Sequence, residues 1–171
     1  VQKQGATIVA VGEWDKEKGT FALYNEEGLD YEDLAAYKAE HHTLANYPKA
    51  KTISLEEFWK LDVDIIIPAA MENAITEKEA EKIKVKLVCE AANGPITPNA
   101  GEILNKKGIV VTPDILTNAG GVTVSYFEWV QNRYGYYWTE EEAVEKEERA
   151  MIDAFNNIHI GFVPIQSKIR S

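Results

Sequence analysis

Thr112-Pro-Asp-Ile-Leu-Thr-Asn-Ala-Gly-Gly-Val-Thr-Val-Ser-Tyr-Phe-Glu-Trp129 is the stretch whose reading decides the fold. The apolar run Gly108-Ile-Val-Val-Thr112 leads into it as a strand, and Pro113 ends that strand because proline has no N–H to give a ladder. Beyond Gly120 and Gly121, Val122, Tyr126, Trp129 and Val130 recur at three- and four-residue intervals, a helical period. Strand, glycine turn and helix N-terminus together leave backbone N–H groups free at the strand's carboxyl end. That is where an open α/β sheet takes an anion or a cofactor. The alternative is a tight turn that needs positive φ at Gly120 or Gly121. Two glycines by themselves do not separate these readings.

Outward from this stretch, strands alternate with helices. Gly5-Ala-Thr-Ile-Val-Ala-Val11 is a near-continuous apolar run, expected as a parallel strand buried on both faces and ended by Gly12-Glu13. Residues 62–70 and 86–92 read as two further buried strands. Residues 19–24 read as a short strand or hairpin, followed by the turn Asn25-Glu-Glu-Gly28. Helices are expected from Asp30 to about His42, from Ser54 (with Glu57 at capping-box spacing) through Trp59, and over 77–84 behind Thr76. Two more follow, from Thr97 to Lys107 with Gly108 as the stop, and from Thr139 to about Asn156. The alternation predicts a doubly wound α/β fold.

Composition narrows the function. At 171 residues the chain is expected to be one domain with a real core. A net charge of −10 argues against nucleic acid and anionic membrane as partners. No apolar stretch reaches the length of a membrane span, no signal-peptide pattern opens the chain, and a cytoplasmic or organelle-matrix location is expected. Cys89 is alone and sits in an apolar run, which excludes an internal disulfide and predicts a buried inert thiol. His41 and His42 are adjacent, so on a helix they diverge; no metal site is expected. Tyr134, Tyr136, Tyr137 and Trp138 form an aromatic patch in acidic surroundings, expected as an interface or domain underside.

Asn-Ala-Gly-Gly-Val-Thr-Val-Ser-Tyr-Phe-Glu-Trp, residues 118–129, resembles the signature of the glutamate dehydrogenases. Glu90-Ala-Ala-Asn-Gly-Pro95 with Thr97-Pro98, and Ile67-Pro-Ala-Ala70, are similar to two more segments of that family, in the family's order. Leucine, phenylalanine and valine dehydrogenases share the Asn-Ala-Gly-Gly-Val core without the continuation. The resemblance runs over about residues 1–157 and implies the cofactor-binding domain of that enzyme, a Rossmann-like, mainly parallel sheet. The tail of 158–171 departs from the family.

The resemblance implies roles residue by residue. Glu13 stands where an acid takes the adenosine ribose hydroxyls; its other reading is a solvated loop carboxylate beside Asp15, Lys16, Glu17 and Lys18. Ala69 and Ala70 let a flat ligand lie against backbone, or simply let a helix pack closely. Asn93 is implied in bonding the nicotinamide ribose, although a left-handed turn alone would explain it. Asn118 is placed near the nicotinamide, Val122 against the substrate's methylenes and Ser125 toward its side-chain carboxylate. The cofactor is expected to be NAD, with NADP as the alternative, and the assembly a homo-oligomer, a hexamer by family. The reaction implied is oxidative deamination of L-glutamate to 2-oxoglutarate and ammonium.

Two parts of the family pattern are not found in the sequence. The first strand with its Gly-x-Gly-x-x-Gly turn is absent, so the fold is expected to be incomplete; Val1 is no initiator methionine, and Val1-Gln-Lys-Gln-Gly5 resembles the end of the helix after that turn. The substrate domain, with its lysines and catalytic aspartate, is absent too, so no catalytic residue is expected here and the chain alone is expected to be inactive. The alternatives are a non-catalytic protein that binds nucleotide or a partner subunit, and a truncated product. With the central strand missing, residues 7–11 and 65–68 are expected to carry unpaired edges and not to ladder to each other.

Overall fold

The structure is a computed structural model that describes residues 1–158, so 159–171, nearly all of the tail expected to depart from the family, lie outside the described residues. Two compact units emerge, Val1–Leu61 and a second beginning at Asp62.

In the first unit, β1 (Ala10–Asp15) and β2 (Gly19–Tyr24) form an antiparallel hairpin with Glu13 opposite Phe21. After α1 (Tyr31–His41), β3 (Lys51–Ile53) pairs antiparallel on the far edge of β2. This corrects the expectation of a buried parallel strand over 5–11 that ends at Gly12-Glu13. The ladder begins only at Ala10 and carries Glu13 in its middle. The cause is local: Asp15 Oδ1 accepts from the N–H groups of Glu17 (2.8 Å) and Lys18 (3.0 Å), and Gly19 takes φ 71, which folds the chain straight back. The apolar run before it packs instead through Ile8 and Val11 on a core of Phe21, Leu23, Leu29, Leu34, Leu44 and Tyr47.

The expected caps are present. Asp30 accepts from the Asp33 N–H at 2.9 Å and starts α1, and Ser54 with Glu57 closes a capping box on α2 (Leu55–Phe58). Buried Tyr47 donates its hydroxyl to the Asp33 carboxylate. Burial first, and then that carboxylate, push the phenol up to about 12.

The second unit is a parallel sheet, order β4 (Ile65–Ile66), β5 (Leu87–Cys89), β6 (Val110–Thr112), with helices between the strands. Cys89 is half-buried rather than fully buried. The fold class is therefore α/β. β1 and β4 are each the outer strand of their own sheet.

α3 (Glu77–Ala80) stops four residues before its expected end. Just beyond the next helix, α4 (Pro98–Lys106), the ammonium of Lys107 takes the carbonyls of Ala80 (2.7 Å), Glu81 (2.6 Å) and Ile83 (3.0 Å) and so satisfies the end of α3; of the three, only the Ala80 carbonyl would find a partner in a helix continued to Lys84. Lys107→Met is expected to destabilise this unit by about 1–2 kcal/mol, because three carbonyls at a helix end lose a charged donor. A urea midpoint equal to that of the unmodified protein would show the contact to be ornamental.

After β6 come α5 (Asp114–Thr117), α6 (Ala119–Tyr134) and α7 (Glu140–Asn157), the last opened by the capping box of Thr139 with Glu142. Here the structure corrects the glycine turn. The helix starts at Asp114 directly after Pro113, and Gly120 and Gly121 lie inside α6 with no positive φ. Close approach applies at Gly120 alone: a Cβ there would come 2.5 Å from Oε1 of Glu147 on α7, the end of a flexible side chain, whereas one on Gly121 would meet nothing within 4 Å.

Candidate functional site

The carboxyl ends of β4, β5 and β6 each run into a loop, and the three loops are bonded into one rim. The Pro68 carbonyl accepts from Ala91 (3.1 Å) and Ala92 (2.9 Å), and the Thr112 carbonyl from Glu90 (3.2 Å). Glu90 Oε2 accepts from the Asp114 N–H at 3.0 Å, and Asp114 Oδ2 from the Gly94 N–H at 2.8 Å. Asn118 Nδ2 donates to Asn93 Oδ1 at 2.6 Å and to the Ala91 carbonyl at 3.4 Å.

This rim borders a shallow, open cleft of about 540 Å³ lined by Ala69, Ala70, Met71, Glu72, Ala91, Ala92, Asn93 and Asn118. Four of the seven residues named from sequence, Ala69, Ala70, Asn93 and Asn118, thus meet on one wall. Its chemistry is specific in kind. Four alanines leave backbone exposed for a flat group, and the two amides offer both donors and acceptors.

Glu90 is half-buried at the root of the rim. Burial pushes its carboxyl above the ordinary range, the Asp114 N–H draws it partly back, and the neighbouring Asp114 carboxylate pushes it up again.

The remaining three lie elsewhere. Val122 and Ser125 occupy the first turns of α6 and do not line the cleft. Ser125 donates its hydroxyl to the Gly121 carbonyl at 3.0 Å, which occupies its one proton. The helical stripe read from sequence faces outward: Val122 is 69% exposed, Tyr126 59% and Trp129 57%, with the last two rings stacked at 5.9 Å. Glu13 belongs to the first unit. Its carboxylate accepts from the Lys38 ammonium and from the Trp14 N–H at 3.0 Å, so it is not a free loop acid.

Reading the sequence missed Asp114, Glu90 and Lys38. Pro113-Asp114, an acid at the first position after a strand-ending proline, is the one local signal that pointed at any of them.

Comparison with known proteins gives the site its context. A sequence model of the Glutamate/Leucine/Phenylalanine/Valine dehydrogenase family matches residues 1–162. The chain is 64% identical over 157 residues to an NAD-specific glutamate dehydrogenase of Clostridioides difficile, covering 92% of this chain and 37% of that protein. Its fold superposes on the crystal structure of glutamate dehydrogenase from Peptoniphilus asaccharolyticus with a TM-score of 0.75 and 48% identity, over 91% of this chain and 34% of that one. A hetero-hexameric glutamate dehydrogenase from Thermus thermophilus gives a TM-score of 0.78 at 29% identity, over 91% and 36%. The chain spans a little over a third of the length of these relatives.

Proposed function

Because the chain belongs to the glutamate/leucine/phenylalanine/valine dehydrogenase family, we propose that residues 1–157 are part of the cofactor-binding domain of an NAD-dependent glutamate dehydrogenase. The whole enzyme converts L-glutamate to 2-oxoglutarate and ammonium with a nicotinamide dinucleotide as cofactor. The observation that carries it is the gathering of Ala69, Ala70, Asn93 and Asn118 around one cleft at the carboxyl ends of parallel strands.

The lining fits the group. The alanines would leave room for a nicotinamide ring against exposed backbone, and the Asn93 and Asn118 amides would pair with its carboxamide and with ribose hydroxyls. The bound group would supply the hydride acceptor. The chain's own residues position and shield. Asn118 and Asn93 hold the nicotinamide end, Val122 lies against the substrate's methylenes, Ser125 faces its side-chain carboxylate, and Glu13 takes the adenosine ribose hydroxyls. NAD is preferred over NADP on the strength of Glu13. A cytoplasmic, hexameric enzyme completes the proposal; among the described residues, no helix is long and apolar enough to cross a membrane.

The reading is tested by titrating the full-length protein with NAD and NADP, and a protein that binds neither sinks it. Ser125→Ala sharpens the test. The hydroxyl must leave the Gly121 carbonyl to reach a substrate carboxylate, so its net value sits at the low end for a bond to a charged group, about 1.5 kcal/mol. Catalytic efficiency for glutamate is expected to fall about tenfold, with NAD affinity unchanged. Loss of NAD binding at unchanged glutamate efficiency would put Ser125 on the other ligand.

A further inference from the structure

We infer that Asp114 is the positioning residue of this cleft, a carboxylate that clamps the Asn93-Gly94 loop so that the amides of Asn93 and Asn118 meet at the nicotinamide end. The inference rests on the cofactor reading proposed above.

Asp114 is the first residue of α5 and spends both oxygens on backbone. Oδ1 accepts from the Ile115 N–H at 2.6 Å, a bond within its own helix. Oδ2 reaches across to the Gly94 N–H, twenty positions earlier in the chain, at 2.8 Å. On its other side the Gly94 carbonyl accepts from the Asn73 N–H at 2.9 Å. Gly94 is thus gripped from both neighbouring loops, and it needs the grip. It stands at φ 53, where a glycine has wide freedom to turn.

Asn93 is the residue before it and is exposed, and the Asn118 amide, at 2.6 Å, is the bond that holds its side chain. Swinging Gly94 would carry Asn93 away from that partner. Glu90 fixes Asp114 in turn by accepting its N–H, so the chain of contacts runs Glu90, Asp114, Gly94, Asn93, Asn118. Asp114 does not line the cleft, and its effect on a ligand passes wholly through the two asparagines.

The test uses the full-length enzyme with Asp114→Ala and Asp114→Asn. Two probes are titrated: NAD, and ADP, which lacks the nicotinamide and its ribose. Amide exchange at Gly94 is followed in the ligand-free protein. Asp114→Ala is expected to weaken NAD at least tenfold and ADP less than twofold, and to speed Gly94 exchange. Asp114→Asn keeps one acceptor oxygen for two N–H donors and should fall between, at about threefold for NAD; it decides the matter alone if the alanine variant does not fold. Equal weakening of both probes, unchanged NAD affinity, or unchanged Gly94 exchange would each overturn the inference. An unmodified enzyme that binds neither probe would sink the functional reading instead, and the exchange rate would still judge the clamp.

Discussion

The 171-residue chain, purified on its own, is expected to show no measurable glutamate-dependent reduction of NAD. The cleft walls explain why. Of its eight lining residues only Glu72 ionises, and it is exposed; no lysine and no aspartate looks into the space where a reacting carbon would sit. Glutamate dehydrogenases, which this sequence resembles, use lysines and an aspartate to bind the substrate and move its protons. Each positioned acid or base accounts for roughly 10²–10⁴ in rate, and absent groups of this kind compound over several powers of ten. Amide side chains can orient a ring but cannot accept a proton from an ammonium group at neutral pH. Turnover by rigorously purified chain at a rate comparable to a complete enzyme would overthrow the assignment of roles.

The second large effect is expected at Glu13. In the full-length enzyme, Glu13→Ser should change the ratio of catalytic efficiencies with NADP and NAD by about a hundredfold or more in favour of NADP. Two contributions act in the same direction. NAD loses a charged acceptor for its ribose hydroxyls, a bond of about 1.5–3 kcal/mol. NADP is relieved of like charge at its 2′-phosphate and gains a released partner, since the Lys38 ammonium now spent on the Glu13 carboxylate becomes available. The double variant Glu13→Ser with Lys38→Ala isolates the share of the released ammonium, because the lost NAD acceptor and the relieved like charge both survive in it. An unchanged ratio in the single variant would return Glu13 to a surface ion pair with no role in cofactor choice.

What could be read from sequence follows the range of the forces involved. Asp30, Ser54 with Glu57, Thr76 with Glu79, and Thr139 with Glu142 act over three residues, so the helix starts they set were legible. The strand before Pro113 was legible for the same reason. β1 was not. Its apolar run looked like a buried parallel strand, yet a turn centred on Asp15 and Gly19 gave the chain an antiparallel partner a few residues away. Gly120 and Gly121 misled in the opposite sense. Glycine signals either a turn or a close neighbour, and Glu147, the neighbour that settles it, lies far along the chain. Of the residues that line the cleft, Ala69 and Ala70 were named for their small size at a strand's carboxyl end, and Asn93 and Asn118 through the family resemblance. Glu90 was passed over because a chain with 28 acidic residues gives no local reason to prefer it, and Asp114 because its place after Pro113 signals a helix start and not a contact twenty residues away.

The two sheets also differ in how soon each becomes possible as the chain emerges. β1 and β2 are joined by three residues, 16–18, and a hairpin of that kind zips in about 1–10 μs. The parallel sheet has no such shortcut, since crossovers of twenty residues (67–86 and 90–109) must be ordered before either pair of strands can meet. Loop closure opposes each of those meetings, and the growth of that entropic cost with loop length is what slows non-local topologies. The first unit therefore acquires its β1–β2 hairpin, though not yet β3 across 25–50, while the second is still without paired strands. The cleft, assembled wholly from the ends of the slow strands, is among the last things this polypeptide makes.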